Sequence, residues 1–93
     1  MPRREGNRLF LDGDLTVDTV AGVLADTSLK DRSATEVVDF AAVTEVDSAA
    51  IALAIAWLRE ARAAGRPLRF ENLPPAMGKL ARLYAVADLI PGA

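Results

Sequence analysis

Glu36-Val37-Val38-Asp39-Phe40, then Val43 to Val46, then the run Asp47-Ser48-Ala49-Ala50-Ile51-Ala52-Leu53-Ala54-Ile55-Ala56-Trp57-Leu58 decide the fold. The first five residues are short and β-rich and read as a strand, with Val43 to Val46 as a turn or brief extension. From Ser48 to about Ala64 the chain is rich in Ala and Leu, which favour helix. Gly65 follows where a left-handed C′ residue ends a helix.

Toward the N-terminus, Arg8-Leu9-Phe10-Leu11, Asp12-Gly13 and Asp14-Leu15 read as a strand, a tight turn and a short second strand. Thr16 is placed to cap a helix whose apolar face is Val17, Val20, Ala21 and Leu24. Thr27 to Ala34 is polar and reads as a connection. Toward the C-terminus, Pro67-Leu68-Arg69-Phe70-Glu71 is a further strand with proline at its first residue. Pro74-Pro75 opens a last helix near Ala76 to Tyr84, and Val86 to Pro91 is a tail that can fold back on the body. Strands alternating with helices imply an α/β layer arrangement with right-handed crossovers.

Ninety-three residues make about one domain, and a hydrophobic fraction of 52% favours a packed core over disorder. The domain is expected to span 1–93, with residues 1–7 frayed. The net charge of −2, with basic residues scattered among acids, argues against nucleic acid. With no cysteine and no histidine, disulfides, Cys/His zinc sites, thiol nucleophiles and Ser-His-Asp relays are excluded. The longest uncharged run, Ser48 to Leu58, falls short of the roughly 20 residues that span a bilayer, and no apolar segment follows the basic start, so a cytoplasmic location is expected. Asp12, Asp14 and Asp18 do not form a calcium loop, because Val17 and Val23 stand where an EF-hand needs glycine and glutamate. Asp39 and Asp47 have no histidine or metal set to make them an acid–base pair. A phosphate-cradling Gly-rich loop with its lysine is also lacking, so neither catalysis nor a cofactor is expected.

Advancing about 100° per residue puts Ile51, Ile55 and Leu58 on one stripe of the long helix and Leu53 and Trp57 on another. Either both stripes are internal, or the second awaits another protein. The enrichment of tryptophan at interface hot spots points Trp57 outward. Asp47 and Ser48 sit at the strand-to-helix junction. Either can serve as N-cap; alternatively Ser48 is an exposed hydroxyl that a partner touches or a kinase modifies. On the last helix, Met77, Leu80 and Tyr84 form a core-like stripe with Ala81, while Leu83 falls off it and is, with Tyr84, a candidate for partner contact.

Val37-Val38-Asp39-Phe40, Val43, Val46-Asp47-Ser48 and the apolar helix together resemble the core of a STAS domain (sulfate transporter and anti-sigma factor antagonist). The ending Leu80-Ala81-Arg82-Leu83-Tyr84, with Val86, Leu89, Ile90 and Pro91, is similar to that of the small, MlaB-like STAS subunits of intermembrane phospholipid transporters. The resemblance implies a single α/β domain with a mixed four-stranded sheet and about three to four helices. It further implies a non-catalytic cytoplasmic subunit bound to the ATPase of an ABC transporter, touching the membrane only through that partner. The position matching Ser48 is a functionally important threonine in that subunit, so the hydroxyl is kept. Ala49 and Ala50 depart from the glycine or serine often found there, which stiffens the helix start. The alternative within the family is an anti-sigma factor antagonist whose partner is an anti-sigma kinase that phosphorylates Ser48. The expected contact surface is Asp47, Ser48, Leu53, Trp57, Leu83 and Tyr84.

Overall fold

The computed structural model describes residues 2–91; Met1, Gly92 and Ala93 of the expected domain lie outside them. A four-stranded sheet runs in the order β1 (Arg3–Glu5), β2 (Arg8–Leu15), β3 (Val37–Val46), β4 (Arg69–Glu71). β1 is antiparallel to β2, and the other two pairings are parallel. Helices α1 (Val20–Asp26), α2 (Leu29–Ala34), α3 (Ser48–Ala63) and α4 (Pro75–Leu83), with a 3-10 turn at Ala87–Leu89, supply the second layer. A mixed sheet of this kind is the arrangement expected of the chain.

Three local expectations are corrected. Arg3–Glu5 does not fray: it pairs as Arg3↔Phe10, Arg4↔Leu9 and Glu5↔Arg8. The hairpin turn is Gly6-Asn7, with Gly6 at φ +61°, rather than Asp12-Gly13. Gly13, at φ +69°, instead lies within an unbroken β2, where the β2–β3 register shifts between Phe10/Asp12 and Gly13/Leu15. The left-handed glycine serves a bulge. β1 stays in place because its arginines have work on the sheet: the Arg3 guanidinium lies 4.7 Å from the Phe10 ring centre, and Arg4 pairs with Asp31 at 3.2 Å.

Thr16 is not a helix cap. Its N–H donates to Thr19 Oγ1 (2.9 Å), whose hydroxyl donates to the Asp14 carbonyl (2.8 Å), and α1 begins only at Val20. That late start changes which residues face inward. Val20 and Val23 pack on the core, while Val17 is 73% exposed and Leu24 is exposed too. The polar connection after α1 contains α2, capped by the Ser28 side chain accepting from the Asp31 N–H (3.1 Å).

The core lies between the sheet and the helices. Leu9, Leu11, Val38 and Phe40 from the strands meet Ala50, Ile51, Leu53, Ala54 and Trp57 from α3, and Met77 and Ala81 from α4. Phe40 and Phe70 pack edge to face at 5.3 Å. Gly65, at φ +67°, ends α3 as read from the sequence, and Ile90 folds back into the core. Leu53 and Trp57 are 4% and 5% exposed, so both stripes of α3 are internal. A helix laid across a sheet and flanked by helices on both sides is covered over a wide arc. A bidentate ion pair closes the Trp57 side, Arg32 Nε to Glu60 Oε1 at 2.8 Å and Arg32 Nη2 to Glu60 Oε2 at 3.2 Å.

Candidate partner-binding site

β3 delivers the chain to Asp47 at the C-terminal end of the parallel strands, and α3 starts at the next residue. Asp47 is the N-cap. One carboxylate oxygen accepts the Ala49 N–H (2.8 Å) and the other accepts the Val17 N–H (3.0 Å). One side chain therefore terminates α3 and fastens the β2–α1 loop beside it. A short polar acceptor is what this junction requires, because the first N–H groups of a helix lack intrahelical partners.

With Asp47 doing the capping, Ser48 is released from that duty. It is exposed, and its hydroxyl has no hydrogen-bond partner among the described residues. Ala52 and Ala56 continue its line along the outward side of α3, so this side is smooth where Leu53 and Trp57 had been expected. Val17, held by Asp47, adds an exposed apolar side chain at the same end. Sequence reasoning missed it, having assigned Val17 inward; the available signal was the Thr16-to-Thr19 spacing, which delays the helix. Around this end the charge is acidic, with Asp14, Asp18, Glu45 and Asp47 close in sequence to the strand ends; Asp14 Oδ1 accepts from the Thr44 hydroxyl at 2.7 Å.

Leu83 is 75% exposed and Tyr84 is exposed as well, at the C-terminal end of α4. α3 and α4 each follow a parallel strand and return across the sheet, which puts their C-terminal ends away from Ser48. Of the expected contact residues the fold thus brings Asp47 and Ser48 together, places Leu83 and Tyr84 on a separate surface, and removes Leu53 and Trp57 into the core.

A second polar group lies on the open face of the sheet. Asp39 is buried and accepts from the Ala41 N–H (2.9 Å), Asn72 Nδ2 (3.1 Å) and Arg8 Nη1 (2.9 Å). Arg8 Nη2 reaches Glu71 Oε1 at 2.8 Å, and Arg69 Nε reaches Glu71 Oε2 at 3.0 Å. The Ala41 N–H, then Asn72, then Arg8 hold the Asp39 carboxyl below its usual range. Glu71 is lowered by Arg8 and next by Arg69. Arg8 on β2 thus pairs with Asp39 on β3 and with Glu71 on β4, so the group ties the three strands together, while Arg69 pairs with Glu71 along β4 itself.

Against solved structures, the chain is similar to the anti-sigma factor antagonist SpoIIAA in its unphosphorylated form, with 20% identity over 89% of this chain and 81% of that one, and a TM-score of 0.65. It is likewise similar to the Bacillus cell fate determinant SpoIIAA in the phosphorylated form, with 19% identity over 97% and 86% and a TM-score of 0.66. It also matches Mglu, at 26% identity over 81% of this chain and 20% of that one, with a TM-score of 0.52. A search of the curated proteins gives no match. Residues 2–91 match the family model described as "Mlab, STAS domain". With that match spanning nearly the whole chain, and the fold shared with SpoIIAA, this protein belongs to the STAS domain family, in its MlaB-like branch.

Proposed function

We propose that the chain is a non-catalytic accessory subunit that binds the ATPase of an ABC transporter moving phospholipid between membranes, at the cytoplasmic side. The observation that carries this reading is the Ser48 end of α3. A rigid junction clamped by Asp47 presents an unpaired hydroxyl, the exposed Val17 and a smooth line of Ala52 and Ala56. Small side chains let a partner approach the helix closely, and a free hydroxyl both donates and accepts. The "Mlab" description of the matching family supports an ATPase as that partner.

Ser48→Arg should leave a folded monomer and abolish co-purification with the ATPase encoded by the same cell. If the arginine variant brings the ATPase down at wild-type yield, the reading fails.

A second reading is an anti-sigma factor antagonist switched by phosphorylation of Ser48, favoured by the exposed hydroxyl and the fold shared with SpoIIAA. Two features weigh against it. The Ala49 N–H is already taken by Asp47 and the Ala50 N–H by the Asp47 carbonyl, so an added phosphate finds fewer donors. It would also stand beside the Asp47 carboxylate. Intact mass after incubation with an anti-sigma kinase and ATP separates the readings: a gain of one phosphate supports the switch.

A further inference from the structure

The charges of this chain are divided along its length. Residues 1–50 hold ten acids and five Lys or Arg, whereas residues 51–93 hold three acids and six Lys or Arg. In that second part, Glu60 is engaged by Arg32 and Arg66, and Glu71 by Arg8 and Arg69. Arg59, Arg62, Lys79 and Arg82 are exposed and have no ion pair among the described residues; Asp88 is the one remaining acid of the segment.

These four cations form two pairs, one on α3 and one on α4, each with apolar side chains nearby. Arg59 and Arg62 stand with Ile55, Leu58 and Leu89 around a shallow groove of about 190 Å³ between α3 and the 3-10 turn. On α4, Lys79, Arg82 and Leu83 project away from the buried Met77 and Ala81. Leu83, Leu89 and Tyr84 are all exposed within seven residues of one another. Each pair of cations thus has an exposed leucine beside it, Leu83 with Lys79 and Arg82 on the outward side of α4 and Leu89 with Arg59 and Arg62 at the groove.

We propose that this face, formed by the C-terminal half of α3, the outward side of α4 and the Ala87–Leu89 turn, docks directly on an anionic phospholipid bilayer. Charge complementarity supports the bilayer over an acidic protein segment. The four cations are split between two helices, Arg59 and Arg62 on α3 and Lys79 and Arg82 on α4, so one acidic segment would have to span both elements to neutralise them. Mobile headgroups can gather under each cation independently. The apolar residues stand out from the surface instead of lining a deep slot, and the long basic side chains beside them can reach the headgroup region. Shallow insertion of a few apolar side chains combined with attraction to anionic lipid is enough for reversible association. The acidic Ser48 end would be repelled by the same surface and left free.

The test is co-sedimentation with vesicles of equimolar phosphatidylcholine and phosphatidylglycerol, against vesicles of phosphatidylcholine alone. Binding at low salt to the anionic vesicles only, weakened by high salt, is expected. Each cation near such a surface is worth about 1 kcal/mol, or roughly fivefold in partitioning, so Arg59→Ala/Arg62→Ala should lower partitioning about 25-fold. Leu83→Asp should also lower it. Arg3→Ala/Arg4→Ala, on the far edge of the sheet, should leave it unchanged. Absence of binding to anionic vesicles overturns the proposal, as does an equal loss from the Arg3/Arg4 pair. So does an Arg59/Arg62 variant that loses the ATPase while vesicle binding persists, which would assign the face to an acidic protein. Failure on vesicles leaves the Ser48 reading untouched, because the two tests measure different ligands.

Discussion

Asp47 shows how much one side chain decides. Its carboxylate accepts two backbone N–H groups, one from its own helix and one from a loop thirty residues earlier. Replacing it with alanine removes the cap and releases Val17; a loss of about 1–2 kcal/mol is expected in urea denaturation. Asp39 makes a different prediction, about acidity. Its carboxyl and that of Glu71 are held below their usual ranges, and Asp31 is lowered by Arg4 in the same direction. A carboxyl depressed in the folded state contributes stability that is complete above its unfolded value, about 4, and is lost as pH falls through the folded value. The melting temperature should therefore hold from neutral pH to about pH 5 and drop below about pH 4. Asp39→Asn, which keeps an acceptor for the Ala41 N–H, should show a smaller drop over the same range. An unchanged acid slope in that variant would remove Asp39 from the explanation.

At the scale of elements, α3 is the one that the rest of the molecule is built around. Leu53→Ala should cost about 2–4 kcal/mol, as expected for a large-to-small change at a site sealed on all sides. Trp57→Glu should leave no cooperative thermal transition, because it removes a large core side chain and buries a carboxylate beside Glu60, which already engages Arg32. The extent of α3 was legible because Asp47-Ser48 at one end and Gly65 at the other are strong boundary signals, and the Ala- and Leu-rich run between them has few rivals. The tail was legible too, since an apolar Leu89-Ile90 after a polar helix has to bury something. What periodicity alone could not settle is which side of α3 meets solvent. Ile51, Leu53 and Trp57 are equally apolar, and only the positions of α1, α2 and α4 reveal that all three are covered. Likewise, Asp12-Gly13 carries the chemistry of a hairpin turn, and a glycine at positive φ serves a bulge equally well. The true hairpin, at Gly6-Asn7, joins β2 to Arg3-Arg4-Glu5, a fully charged strand in which apolar alternation gives no cue. The Ser48 junction was readable in local sequence; for Val17 the Thr16-to-Thr19 spacing hinted at a late helix start, while the hydrogen bond that holds it to Asp47, thirty positions away, was not readable.

At the scale of the whole molecule, both parallel pairings join strands separated by helices, so the sheet forms only after long loops close. Refolding should accordingly take milliseconds or longer, slower than a helical bundle of this length. A reaction complete within the dead time of a stopped-flow mixer would contradict that. The packing also equips the protein to report on itself. Its single tryptophan sits under α3 against Leu9, Val38 and Leu68, and its single tyrosine lies on the outer surface near the end of α4. Intrinsic tryptophan emission should be blue-shifted in the folded protein and move to longer wavelength when α3 lifts from the sheet. Quenching of the tyrosine by a soluble agent reads the outside instead, so one cuvette can follow the interior and the surface as separate optical signals.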